Sequence, residues 1–370
     1  MHGAADTVRR LIDAGLLSTR DVVDGSLTVV DLSRSNAVWL VDAGRAGSYV
    51  AKVAAPDRGD LQGSGVVETM LYERIAGDRA LAAAAPVARL VGRYGDLIVL
   101  ASAGEGDGLA RRLHDRGPAP ADGRLLGEAL GRWRAVGAVL AQAGLPGRLP
   151  WVASALAGDR PAFLDQHPAT RELGGVLRRD PALRRTVEAV ARDWRRETVM
   201  HGDVRWDNVV VTRRQDGGAE EALLVDLEFA DLGDPAWDVA GAVAEPLAMA
   251  AGSGVEPGDG EGGVVVPDRR TVGRYLRDVR PFLACFASAY KGAATGSGAD
   301  DDLLRAMGYV PARLVQAAFL HAGWNPSSGM AVGLALAGLA AALTGQPHLL
   351  AGMLRVPRAA VAAGPSGHGP

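Results

Sequence analysis

The chain has 370 residues, 48% of them hydrophobic and 22% charged, with one cysteine and a formal net charge of −3 at pH 7. That balance can bury a large core and lies outside disordered, fibrous and disulfide-scaffold compositions. It lacks the dense basic charge of a nucleic-acid binder, and its length suits two lobes better than one small core.

Residues 5–15 carry helical spacing, and a β-rich region follows. Leu27–Leu32, Ala37–Val41 and Ser48–Val53 read as three strands of an antiparallel meander, separated by polar turns and glycines. Val66–Ile75 returns to helical spacing and carries Glu68 and Glu73. Val87–Val91 and Leu97–Leu100 read as two more strands turning at Tyr94-Gly95-Asp96. Ala101–Gly108 is small and glycine-rich, which suits an irregular hinge. Beyond it Ala121–Ala143 and Ala182–Trp194 read as helices, and a short strand, Glu197–Met200, leads into His201-Gly202-Asp203. Val209–Thr212 and Ala222–Val225 flank a turn at Asp216-Gly217-Gly218.

The remainder reads as mostly helical, interrupted by glycine-rich stretches at 251–263 and 292–298, both expected to be mobile loops. A tail from 356 is expected to be disordered. Met330–Leu343, the most apolar stretch, falls short of the roughly 20 residues that span a membrane and reads as a buried helix. Cys285, in an apolar run, reads as a small buried hydrophobe rather than a nucleophile. With no apolar signal-peptide region at the start, a cytoplasmic protein is expected. The whole reads as an α+β, two-lobed fold: a β-rich lobe with an N-terminal helix over 1–100, a hinge over 101–108, and a helical lobe over 109–355.

The chemistry concentrates in His201-Gly202-Asp203-Val204-Arg205-Trp206-Asp207-Asn208, followed after a hairpin by Asp226-Leu227-Glu228. Phosphoryl transfer needs a carboxylate to orient the attacking hydroxyl and hard oxygen ligands for Mg²⁺ on the phosphates. Asp203 can supply the first; Asn208 and Asp226 can supply the second. His-Gly-Asp-x4-Asn, a hydrophobic hairpin and Asp-x-Glu resemble the catalytic and metal loops of the aminoglycoside phosphotransferase and choline kinase family, whose fold is protein-kinase-like. The resemblance implies a catalytic role for Asp203, a loop-organising role for His201 and metal ligation by Asn208 and Asp226. It makes Glu228 an outer partner of the metal. It also makes Asp238, in Gly233-Asp234-Pro235-Ala236-Trp237-Asp238, a brace for the loop.

Such folds place a strand lysine on the nucleotide phosphates, held by a helix glutamate. Lys52 fits, with Glu68 as partner and Glu73 as the competing choice; the plain alternative is an edge-strand surface lysine. Asp31-Leu32-Ser33-Arg34-Ser35-Asn36 replaces the glycine-rich phosphate loop, so Ser33, Ser35 and Asn36 are expected at the nucleotide. Hinge backbone at Ser102 and Ala103 is expected at adenine. Arg205 either stabilises the transferring phosphoryl group or pairs with Asp207.

These features imply an ATP-dependent kinase (GTP being the alternative donor) that uses Mg²⁺ and has an alcohol as acceptor. Five arginines over 269–280 speak against a polycationic acceptor; Asp300-Asp301-Asp302 reads first as a helix N-terminal cap. Ser33-Arg34-Ser35-Asn36, the Arg205–Asn208 loop and the late helical stretch over 312–350 are also similar to the kinase components of class V lanthipeptide and thioamitide biosynthesis. That resemblance implies a Ser or Thr hydroxyl of a precursor peptide as acceptor, with a separate lyase eliminating the phosphate. The alternatives are a small-molecule kinase and a non-catalytic pseudokinase scaffold. No nucleic-acid or membrane partner is expected.

Overall fold

The computed structural model describes residues 3–33, 36–44, 47–54, 64–103, 107–157, 160–213, 218–253, 255, 264–294, 298–324 and 328–354. Two helices, α1 (Ala4–Asp13) and α2 (Thr19–Val23), precede β1 (Thr28–Asp31), β2 (Val38–Asp42) and β3 (Ser48–Val53). Then come α3 (Gly65–Gly77), α4 (Arg79–Ala84), β4 (Leu90–Tyr94) and β5 (Leu97–Ala101). The five strands make one antiparallel sheet in the order β1-β2-β3-β5-β4.

Strand alternation gives the sheet two different faces. Ala51, Leu97 and Val99 join Trp39, Val41 and Leu11 in a small core under α1. Ile98 and Leu100 point the other way, into a larger core with Leu71, Tyr72 and Ile75 of α3. Lys52 lies between Val38 and Ile98 in register on the central strand β3. It is therefore not the edge lysine of the plain alternative.

The first strand after α4 begins at Leu90 rather than Val87. Pro86 and Val87 are drawn off to bond Leu224, and only then does the chain join β5. The hinge is more regular than its composition suggests: Asp107 and Gly108 form β6, paired with β8.

The helical part contains α5 (Leu109–Arg116), α6 (Pro120–Leu140), α7 (Pro168–Leu177), α8 (Pro181–Asp193), α9 (Pro235–Gly252), α10 (Arg269–Ala293), α11 (Ala299–Trp324), α12 (Gly329–Leu343) and α13 (Pro347–Ala351). Between α8 and α9 run β7 (Thr198–Met200), β8 (Val209–Arg213), β9 (Glu220–Leu224) and β10 (Asp231–Gly233). β10 pairs with β7, while β6, β8 and β9 form a three-stranded sheet.

One helix pair sets the scaffold. Gly123, Gly127 and Gly131 of α6, one per turn, face the carbonyls of Phe282, Phe286 and Tyr290 of α10; a Cβ at any of them would sit 2.2–2.7 Å from those oxygens. The backbones approach this closely only because the side chains are missing. Cys285 on α10 is half-buried rather than buried. No helix among the described residues is long and apolar enough to cross a membrane. The expected mobile loops fall largely outside the described residues (254, 256–263 and 295–297), as do Arg34, Ser35, 104–106 and the tail from 355.

Candidate active site

β7 delivers the chain into a tight turn. Gly202 has φ +83°, and a Cβ there would meet the Phe229 carbonyl at 2.3 Å, so the position requires glycine. The amides of His201 and Gly202 donate to the two carboxylate oxygens of Asp238 at 2.6 and 2.9 Å. The Trp237 indole donates to the Gly202 carbonyl at 3.1 Å. Fully buried His201 accepts the Asp203 amide at Nδ1 (3.3 Å), which assigns its proton to Nε2, 2.9 Å from the Val225 carbonyl. A buried histidine thus ties the 201–208 loop to the strand end that carries Asp226.

Asp203 projects from this turn. Its Oδ2 accepts Asn208 Nδ2 at 3.0 Å and Arg205 Nε at 3.1 Å; Asn208 Nδ2 also reaches the Asp203 carbonyl at 3.0 Å. Arg205 therefore takes Asp203 as its ion-pair partner, where the sequence offered Asp207. Its backbone is extended (φ −132°, ψ 158°), and residues two apart in an extended chain share a face. Burial works against the Arg205 charge, but Asp203, Glu245 and Asp207 outweigh it and hold the guanidinium charged.

Lys52 reaches the 226–228 loop from the sheet. It is buried and bonds Asp226 Oδ1, and it lies 2.8 Å from Glu68 Oε2 of α3. The other Glu68 oxygen accepts the Leu227 amide at 3.2 Å, so one carboxylate joins strand, helix and the 226–228 loop. Glu73 pairs with Arg93 on the surface instead. Burial disfavours the Lys52 ammonium, yet Glu68, Asp226 and Glu228 overcompensate and raise its pKa. Asp226 is the one described non-glycine residue with positive φ (67°), an αL conformation that Asp tolerates better than most and that concentrates at functional sites. Asn36 donates to Glu228 Oε2, and the Ser64 amide donates to the Glu228 carbonyl at 2.7 Å.

Other residues expected at the nucleotide also bond within the protein. The Ser33 hydroxyl closes the β1–β2 turn, accepting the Val38 amide at 3.0 Å and donating to its carbonyl at 3.3 Å. Ser35 lies outside the described residues. The Ser102 amide extends the β3–β5 pairing to the Ser48 carbonyl at 2.9 Å, and the Ala103 carbonyl accepts Thr212 Oγ1 at 2.6 Å. Those two hinge groups are engaged across β3 and β8.

Among the described residues, Lys52 thus stands as one cation among three carboxylates, Glu68, Asp226 and Glu228. Burial and the neighbouring Asp226 charge push Glu228 up to about 7. This excess of negative oxygen is what a divalent cation relieves. Among the described residues no three His, Cys, Asp or Glu side chains gather to hold a metal unaided.

Two residues absent from the sequence reading also reach the loop. Glu245 of α9 accepts the Trp206 amide at 3.3 Å, and Arg313 of α11 donates to the Val204 carbonyl at 2.6 Å. No local motif marks them; they are 37 and 105 residues beyond Asn208.

The profile of the phosphotransferase enzyme family (APH) matches residues 26–272. No curated protein matches the chain. Among solved structures, an ethanolamine kinase of Plasmodium vivax is similar at 12% identity and TM-score 0.53, over 88% of this chain and 84% of that one. The macrolide 2′-phosphotransferase MphH of Brachybacterium faecium is 18% identical with TM-score 0.46, over 90% and 98%. A choline kinase of Cryptosporidium parvum is 8% identical with TM-score 0.48, over 97% of both chains. The two-lobed fold is shared with the first of these. With the family match running from β1 into α10 and taking in the whole loop system just described, the chain belongs to the phosphotransferase enzyme family and is a kinase with an alcohol acceptor.

Proposed function

We propose that the protein transfers the γ-phosphoryl group of Mg²⁺-ATP, or of Mg²⁺-GTP, to a hydroxyl held in front of Asp203. The observation that carries this is the pairing of Asp203 with Asn208 and Arg205 on one loop and of Lys52 with Glu68 and Asp226 on the next, the two loops being tied through His201 Nε2 and the Val225 carbonyl. In this reading Lys52 grips the α- and β-phosphates and Glu68 holds its ammonium. Asp226 and Asn208 hold the metal, with Glu228 behind them. Bound Mg²⁺ would neutralise charge on the phosphates. Asp203 orients the hydroxyl and takes its proton, while Arg205 lies close enough to Asp203 to offset the charge that builds up as transfer proceeds. Residues 1–100 form the nucleotide side and 109–355 the acceptor side, with 101–108 between them.

The acceptor is an alcohol without multiple positive charges. The acidic run that could have met a polycation is engaged in ion pairs within the protein: Asp300 with Lys291, Asp301 with Arg195 and Arg305, and Asp302 with Arg134 and Arg305. A small-molecule alcohol is the first reading. A Ser or Thr hydroxyl in a precursor peptide, later eliminated by a partner lyase, is the second. One observation favours it: Arg269, Arg270, Arg274, Arg277 and Arg280 all lie exposed on α10, and none forms an ion pair among the described residues. An acidic peptide would complement that face.

Incubation with ATP or GTP, Mg²⁺ and three acceptor panels (neutral alcohols, aminoglycosides, Ser/Thr peptides) followed by mass spectrometry tests the assignment. A gain of phosphate on a neutral alcohol or peptide is expected. Transfer to aminoglycosides alone would overturn the acceptor reading. No release of phosphate even to water, with either nucleotide, would leave the scaffold reading standing.

A further inference from the structure

Arg313 and Glu245 approach the 201–208 loop from its buried side, and Arg313 lies beyond the stretch that the family profile matches. Arg313 is 4% exposed. Its Nη2 donates to the Val204 carbonyl at 2.6 Å, its Nη1 to Gln316 Oε1 at 3.0 Å, and its plane sits 5.0 Å over the Trp237 ring. A guanidinium this deep is costly unless its donors are used. Its path runs past Gly241 of α9, where a Cβ would lie 2.6 Å from Nη2 and 2.7 Å from the Val204 oxygen. One turn further along α9, Glu245 accepts the Trp206 amide at 3.3 Å. Both helices thus bond the chain immediately before and immediately after Arg205.

We propose that Arg313 and Glu245 are positioning residues that grip the peptide units flanking Arg205 and so hold its guanidinium on Asp203. Arg205 is a long side chain at an extended position, and its Nε reaches Asp203 Oδ2 only while residues 204–206 keep their place. Arg313 supplies one end of the grip through a fork that a lysine lacks. Glu245 supplies the other. Neither touches the Lys52 side, so the grip bears on the carboxylate of Asp203 and not on the nucleotide. The effect on rate rests on the function proposed above; the effect on the loop does not.

Arg313→Lys and Gly241→Ala test it in the full-length protein, each alone and with Arg205→Gln. The first readout is hydrogen exchange of the 203–208 amides. The second is phosphate release from Mg²⁺-ATP with water as acceptor. Exchange in the loop should quicken about tenfold or more while β3 and α6 peptides keep wild-type rates. Phosphate release should fall about tenfold with the KM for ATP within about twofold of wild type. In the Arg205→Gln background, Arg313→Lys should add less than about twofold, because residues acting through one another are not additive.

Unchanged loop exchange would overturn the proposal. So would full multiplication of the Arg205 and Arg313 losses, or a rise in KM matching the fall in rate. If Gly241→Ala does not fold, Arg313→Lys decides alone. A wild-type protein that releases no phosphate would defeat the proposed function, and the exchange measurement would still judge the grip.

Discussion

Two of the buried ionic clusters among the described residues differ in how their charges balance. Around Lys52 one cation meets three carboxylates: Glu68, Asp226 and Glu228. Around Asp302 the buried charges are matched. Asp302 takes Arg134, Arg305 and the Tyr290 hydroxyl; Asp234 takes Arg305 and the Tyr309 hydroxyl and caps α9 through the Ala236 amide. A matched cluster satisfied by hydrogen bonds is a brace, here fastening α6, α10 and α11 to the start of α9. An unmatched one carries net negative charge in a buried place, which is costly for a structural brace and suited to a bound cation. Charge balance distinguishes the two better than burial does.

That comparison can be broken in order of expected effect. Asp203→Asn should lower phosphate transfer by about 10³–10⁴-fold while nucleotide affinity stays within about twofold, measured by coupled assay and calorimetry. An enzyme that kept its turnover would remove Asp203 from the chemistry. On the matched side, Arg305→Met removes the only cation paired with Asp234 and one of two paired with Asp302 among the described residues, and should cost about 3–5 kcal/mol in urea unfolding. At temperatures where the variant is folded, its turnover should remain near wild type. A specific loss of rate with little loss of stability would make this cluster functional after all.

Glu245 offers a pH test. Burial pushes its carboxyl up to about 7, so the folded protein favours the protonated form. The stability this contributes is fully present below the unfolded value near 4.5 and is lost as pH rises through about 7. Wild type should therefore lose up to about 3 kcal/mol relative to Glu245→Gln between pH 5 and pH 8. Parallel stability profiles would show that Glu245 carries no such shift. The smallest effect belongs to Asp226→Ala, expected to weaken Mg²⁺-dependent nucleotide binding by about 10–100-fold and to leave metal-free binding less affected. Equal losses with and without Mg²⁺ would move Asp226 out of the metal's reach.

Much of the site was legible because it is local. Asp203, Arg205 and Asn208 lie within one turn and a short helix, and Asp226 follows a single hairpin, so spacing alone brings them near one another. Lys52 was legible from strand alternation, since a charged residue in an apolar strand points at a partner. Asp300-Asp301-Asp302 does open a helix, in the first turn of α11, but that Asp302 is buried against Arg134, 168 residues away, left no local sign. Val87 misled because the adjacent Pro86 accepts a bond from Leu224, a partner 138 residues on.

The sequence by itself determined the fold class, the family and the identities of the chemical groups, because periodicity and short-range spacing are properties of neighbouring residues. Tertiary structure alone decided which carboxylate Arg205 pairs with, which hinge groups are already engaged, and that Arg313 and Glu245 reach the loop. Those outcomes depend on how α9 and α11 pack behind it, and packing of that kind is set by side-chain shape summed over the whole core rather than by any one stretch of chain.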